Sequence, residues 1–207
     1  MTAHASPSHR LPALPPVARQ PIWHVDGALH GYEYLYRNHA GTPAGVDLWA
    51  EPCQEQATAS VLSVLETLAP RHTAGRSFVN ITRAFLVERR AFPRPHARLV
   101  LEVLEHVPAD AEVLAGLRRL RALGHRIAID DFTASADQVA MLPYADYVKI
   151  DCRDLVQHGT ALIEIARRDG ARLVAERVSD RALVERCKRW GFDLLQGDVL
   201  GPAVVVV

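Results

Sequence analysis

The chain has 207 residues, 49% of them hydrophobic and 23% charged, which suits a globular protein with one sizeable core and excludes a fibrous or wholly disordered chain. Its 24 basic residues balance 24 acidic ones, so no broad field of either sign attracts a nucleic-acid polymer or an anionic membrane surface, while a local site for a small anion stays open. Cys53, Cys152 and Cys187 stand far apart with no CxxC spacing, which argues against a disulfide framework or a zinc site and fits reduced thiols in a cytoplasmic protein.

In chain order, residues 1–18 carry Pro7, Pro12, Pro15 and Pro16 and little to bury, so a disordered or loosely docked tail is expected there, with one domain over 19–207. The start lacks the basic and apolar regions of a signal peptide, and no later run approaches the roughly 20 apolar residues of a membrane span. PIWHV (21–25) and GYEYLYR (31–37) flank an Asp26-Gly27 turn and read as an antiparallel hairpin. SFVNIT, RLVLEVLE, RIAIDD, YVKID, RLVAER and LLQGD follow as strands. The polar residues near the strand ends run from Glu33 to Gln196, 163 residues in six steps, or about 27 per step, enough for a strand, a helix and two loops. In AEVLAGLRRLRAL (111–123), Val113, Leu114, Leu117, Leu120 and Leu123 fall on one helical face and the arginines on the other. Gly124, Gly170 and Gly191 stand where helix C-termini favour a left-handed residue.

Eight strands with intervening helices point to an α/β fold, a (β/α)8 TIM-like barrel with an antiparallel first strand; an open doubly wound sheet is the competing arrangement. In a barrel, Glu33, Asn80, Glu102, Asp130, Asp131, Lys149, Glu176 and Gln196 converge on the C-terminal rim. Five carboxylates in one opening repel one another unless cations neutralise them, and an all-oxygen donor set selects Mg2+, Mn2+ or Ca2+. Two such ions suit attack of water on a phosphodiester, with Lys149 orienting or deprotonating the water and Gln196 bonding to it. Alone, each residue has a simpler role: Asp130 and Asp131 as a helix cap, Lys149 with Asp151 as a solvated pair, Asn80 as a turn former. A two-carboxylate glycosidase and an enolase-like proton abstraction also remain open.

The segments RQPIWHVDGALHGYEYLYR, FVNIT, LVLEVLE, ALGHRIAIDDF, ADYVKID, LVAERV and GFDLLQGDVLGP resemble, in order, the EAL domain family, the bacterial phosphodiesterases of cyclic di-GMP, from about Ala18 to Pro202. GYEYLYR and LVLEVLEHV are most similar to EAL domains that precede an HDOD domain. The resemblance implies hydrolysis of cyclic di-GMP to linear pGpG with two Mg2+ or Mn2+ ions. Glu33, Asn80, Glu102 and Asp130 would bind one metal, and Asp131 and Glu176 the second. Lys149 and Gln196, with Glu176, would serve the catalytic water, Arg37 a substrate phosphate, and Glu105 the loop after the aspartate pair. A homodimer or a regulatory protein partner is open within the family.

The chain departs from the family pattern at several positions. Tyr34 stands for the usual alanine of the signature. Thr133-Ala134-Ser135-Ala136-Asp137-Gln138 stands for a glycine-rich stretch, which removes positive-φ freedom from that loop. Ser179 replaces a glutamate, Asp198 an aromatic residue, and the basic residue before Pro202 is missing. These changes keep a second class of function in view, a catalytically inactive nucleotide receptor or protein-binding regulator.

Overall fold

A computed structural model describes residues 16–68, 75–88, 90, 92 and 98–206. Strands β1 (Val17–His24) and β2 (Leu29–Tyr36) form the antiparallel hairpin read from the sequence. Its turn closes through the Gly27 amide on the His24 carbonyl, with Gly27 at φ 92° and the Asp26 carboxylate accepting from the Ala28 amide. Strand β1 begins inside the segment assigned to the tail, with Val17 and Ala18 fully buried; of that tail, residues 1–15 lie outside the described residues.

From β2 the chain alternates: α1 (Glu51–Leu68), β3 (Arg76–Ile81), α2 (Arg83–Val87), β4 (Leu99–Val103), α3 (Ala111–Ala122), β5 (Arg126–Ile129), α4 (Ala136–Met141), β6 (Tyr147–Asp151), α5 (Cys152–His158), α6 (Ala161–Arg167), β7 (Arg172–Glu176), α7 (Arg181–Arg189) and β8 (Leu194–Leu195). Strands β2 to β8 pair in parallel in sequence order, and β1 bridges β8 and β2 antiparallel, so the sheet closes into an eight-stranded barrel. A short strand not foreseen from the sequence, β9 (Val204–Val205), pairs with Ala18 and Arg19 on β1. Gly124, Gly170 and Gly191 take φ values of 89°, 84° and 82°, as the helix-ending pattern requires.

Two apolar layers hold the barrel. Between strands and helices lies the larger core, which includes Val113, Leu117 and Leu120 of α3. Leu123, expected on that face, caps the helix and is 58% exposed, because α3 stops at Ala122 and the chain turns at Gly124. The second layer fills the interior with one residue from each of seven strands: Ile22, Phe78, Val100, Ala128, Tyr147, Val174 and Leu194. Strand side chains alternate with period two, so the next inward positions toward the C-terminal rim are Asn80, Glu102, Asp130, Lys149, Glu176 and Gln196. The apolar layer is thus the floor on which the polar site rests. Strand β1 runs the other way, so the residue two before Ile22, Gln20, reaches the same rim.

Candidate active site

Lys149 is the centre of the rim. Its Nζ lies 2.8 Å from Asp130 Oδ1, 2.9 Å from Glu102 Oε1, 2.9 Å from Glu176 Oε1 and 3.4 Å from Glu33 Oε2, and its side chain is 1% exposed. Glu33 is the second hub: it accepts from Gln196 Nε2 at 2.7 Å and from Asn80 Nδ2 at 3.3 Å. Gln196 Nε2 also donates to Gln20 Oε1 at 3.0 Å, and Gln20 reaches Asp198 at 3.2 Å. Past Gln196, Gly197 lets β8 pack on the segment after Glu176; an added Cβ would stand 2.2 Å from the Val178 carbonyl. The sequence-derived set Glu33, Asn80, Glu102, Asp130, Asp131, Lys149, Glu176 and Gln196 therefore meets at one end of the barrel. With the exception of Asn80 and Glu102, these residues line a cavity of about 640 Å3, together with Arg153, Arg177, Ser179 and Asp198.

The electrostatics are unbalanced in favour of negative charge. Burial opposes the Lys149 ammonium, yet Asp130, Glu102, Glu176 and Glu33 hold its pKa well above the ordinary lysine value. A lysine so protonated donates hydrogen bonds and offsets charge. Burial also acts on Glu33, but Lys149 and the hydrogen bonds from Gln196 and Asn80 keep it below the usual carboxylate range. The other carboxyls are pushed up. Burial raises Glu102 well above its normal value, Glu33 and Asp130 adding to the rise, and raises Asp130 too. Burial and the Asp130 charge lift Asp131 to about 6; burial, Asp130 and Glu33 lift Glu176 to about 8.

Such a set fits hard divalent cations. Carboxylate oxygens of Asp130, Asp131 and Glu176 lie within 4.8 Å of one another. Glu102 Oε2, Asn80 Oδ1 and Gln196 Oε1 are buried without a hydrogen-bond partner among the described residues, while Glu102 Oε1 and Asp130 Oδ1 meet the Lys149 ammonium at 2.9 and 2.8 Å. Acceptors in that condition, all oxygen, are what a hard divalent cation satisfies.

Two sequence-derived residues stand apart from this cluster. Arg37, one residue past β2, donates from Nη1 to the Tyr36 carbonyl at 3.3 Å and is not among the cavity-lining residues. Glu105, half exposed, lines an adjacent recess of about 600 Å3 with Asp131, Thr133, Ser135 and Gln138. Its charge helps raise Asp131.

Sequence reasoning missed what holds the loop after the aspartate pair. Gln138, 1% exposed, donates from Nε2 to the carbonyls of Asp130 (3.2 Å) and Asp131 (3.0 Å) and accepts at Oε1 from the Thr133 amide (2.9 Å). It also closes a capping box with Ser135 at the start of α4, a Ser-x-x-Gln signal legible in the sequence. Asp137 accepts from the Ala109 amide at 2.8 Å and ties this loop to the one after β4. Asp131 and Ala134 take left-handed φ values of 39° and 62° without a glycine. Also missed were Arg153 and Arg177 on the cavity wall, linked through Asp151.

Residues 54–203, well over half of the chain, match the family model described as EAL domain. A cyclic di-GMP phosphodiesterase of Vibrio cholerae, CdgJ, is 27% identical over 184 residues, spanning 87% of this chain and 42% of that protein. An uncharacterized Bacillus subtilis protein, YuxH, is 27% identical over 190 residues, 87% of this chain and 45% of that one. The chain thus spans less than half the length of these two relatives. Among solved structures, the PaMucR phosphodiesterase in complex with cyclic di-GMP superposes with a TM-score of 0.75 at 24% identity, over 94% of this chain and 98% of that one. The Bacillus subtilis YkuI protein, with cyclic di-GMP and calcium, gives 0.73 at 22% identity over 93% and 56%. These likenesses show the barrel fold. No helix among the described residues is long and apolar enough to cross a membrane.

Proposed function

The chain belongs to the EAL domain family, and from that premise we propose that it hydrolyses cyclic di-GMP to linear pGpG. The observation that carries this reading is the Lys149 ammonium set among four carboxylates from four different strand ends, a concentration of buried acidic groups suited to cations. Glu33, Asn80, Glu102 and Asp130 are proposed to hold one Mg2+ or Mn2+ ion, and Asp131 and Glu176 a second. When bound, such ions supply Lewis acidity and lower the pKa of a coordinated water.

The chain's own groups do the rest. Gln196 is fixed through Nε2 by Glu33 and Gln20, which aims its unpartnered Oε1 as an acceptor for the attacking water. Glu176, on the cavity wall 2.9 Å from Lys149 Nζ, is proposed to take a proton from that water. Lys149 donates toward the negative charge that develops on the phosphoryl oxygens. A P–O bond forms to water, the P–O3′ bond breaks, the released O3′ takes up a proton from solvent to become a free hydroxyl, and the opened ring leaves with a 5′-phosphate.

An inactive receptor is the second class, and it rests on the missing loop glycines. Gln138 replaces their role by holding the loop from inside, which supports the enzyme. We infer further that the barrel, which begins at Val17 of β1 rather than at residue 19, forms the functional unit. The test is incubation of purified protein with cyclic di-GMP and Mn2+, with products resolved by chromatography and binding followed in Ca2+. Linear pGpG is expected; nucleotide binding without product would move the assignment to the receptor, and no binding in either ion would leave protein interaction.

A further inference from the structure

A cyclic dinucleotide carries two phosphodiesters, and the carboxylate end of the site accounts for one. The other needs a cationic partner of its own. Arg37 points back at the Tyr36 carbonyl, whereas Arg153 and Arg177 line the cavity beside Glu176 and Lys149. Both are preset by one carboxylate. Asp151, at the end of β6 with a side chain only 5% exposed, accepts from the Arg153 amide (2.8 Å) and from Arg153 Nε (2.9 Å) and Nη2 (2.5 Å). It also pairs with Arg177 Nε at 2.9 Å.

Arg177 is held at φ 52°, a left-handed conformation that a residue with a Cβ adopts at a cost. Its side chain is 62% exposed, and Arg153's is 70% exposed. Exposed ion pairs contribute little stability, and Arg153 alone neutralises Asp151, so stability does not account for a second, strained arginine on the same carboxylate. Asp151 engages Nε and Nη2 of Arg153 and Nε of Arg177, so both guanidiniums on the cavity wall keep further N–H donors, and such charged donors suit a phosphate. Building on the phosphodiesterase reading, we propose that Arg153 and Arg177, oriented by Asp151, form a second phosphate subsite that grips the phosphodiester not being cleaved.

The test uses the whole chain with Mn2+ for kinetics and Ca2+ for calorimetric binding of cyclic di-GMP. Arg177→Gly relieves the left-handed backbone, so its melting temperature should not fall, while KM and the dissociation constant rise about tenfold with kcat changed less than twofold. Arg177→Lys should recover part of that loss, and Arg153→Gln should behave like Arg177→Gly. Unchanged KM and affinity in both variants, beside an active wild type, overturn the subsite and leave the phosphodiesterase reading standing. If the wild type neither binds nor cleaves the dinucleotide, that reading falls. The arginine pair is then judged by titrating inorganic phosphate against the Arg153 and Arg177 15Nε signals, which the variants assign. Saturable shifts of both support the subsite, and no shift overturns it.

Discussion

Gln138→Ala tests whether one amide holds the metal-facing loop. The side chain is 1% exposed and makes three hydrogen bonds of 2.9–3.2 Å to the backbone of Asp130, Asp131 and Thr133, with longer contacts of 3.4 Å from Thr133 Oγ1 and the Ser135 amide. At about 1 kcal/mol net each, the three shorter bonds contribute about 3 kcal/mol, and each backbone group left buried and unpartnered adds about 1–3 kcal/mol unless the loop moves or water enters. Partial relaxation brings the expected loss to about 2–4 kcal/mol. Urea unfolding followed by tryptophan fluorescence measures it, and Mn2+-dependent turnover measured beside it should fall more than cyclic di-GMP binding, because Asp130 and Asp131 lose their fixed backbone. Gln138→Glu keeps the size and the Oε1 acceptor but turns an oxygen toward two carbonyls, so it should cost at least as much as alanine. A loss below about 0.5 kcal/mol in Gln138→Ala with turnover intact would refute the brace.

The raised carboxyls set a pH dependence. Asp131 at about 6 and Glu176 at about 8 keep protons in the folded chain that the unfolded chain has released, so the stability they contribute is present at low pH and lost as pH rises through those values. Glu33, lowered, acts only below the usual glutamate range, and Lys149, raised, only above the usual lysine range. With a chelator present, the melting temperature should therefore fall from pH 5 to pH 8, and Mn2+ should raise it more at pH 8 than at pH 5; an equal metal effect at both values contradicts the carboxylate assignment. Lys149→Met leaves four carboxylates without their cation and should cost roughly 3–5 kcal/mol at pH 8, less at pH 5, and abolish turnover; thermal melts across pH check this, and a pH-independent loss counts against it. Gly116→Ala on α3 drives a Cβ to 2.3 Å from the Leu86 carbonyl and should cost about 1–3 kcal/mol in urea unfolding while KM and kcat stay at wild-type values, since neither backbone touches the rim.

How much was legible follows from strand geometry. A carboxylate two residues beyond an inward apolar residue has one place to go in a closed barrel, so Ala128 to Asp130, Val100 to Glu102 and Val174 to Glu176 could be read from period two alone. Gln20 escaped the same rule because β1 is antiparallel and reaches the rim with its earlier residues. Gln138 escaped because a side chain that replaces backbone freedom with hydrogen bonds leaves no compositional trace beyond the missing glycines and a capping-box spacing. Arg177 escaped because its left-handed φ is a property of the folded turn that its residue type argues against. Glu33 lies outside the residues that match the family model, so its place rests on geometry, through Gln196, Asn80 and Lys149.

One physical condition links the fold to the chemistry. Packing four carboxylates around a single ammonium disfavours the folded state unless something rigid holds them together, and here the apolar interior layer beneath and the Gln138 brace beside them do so. The same rigidity keeps Glu102 Oε2 and Asn80 Oδ1 from finding partners by local collapse. The unsatisfied charge is thus kept available for cations. A barrel softened at its floor should then lose metal affinity before it loses its strands, because the strands are held by their backbone ladder and outer core, while the site depends on carboxylates staying where they repel one another.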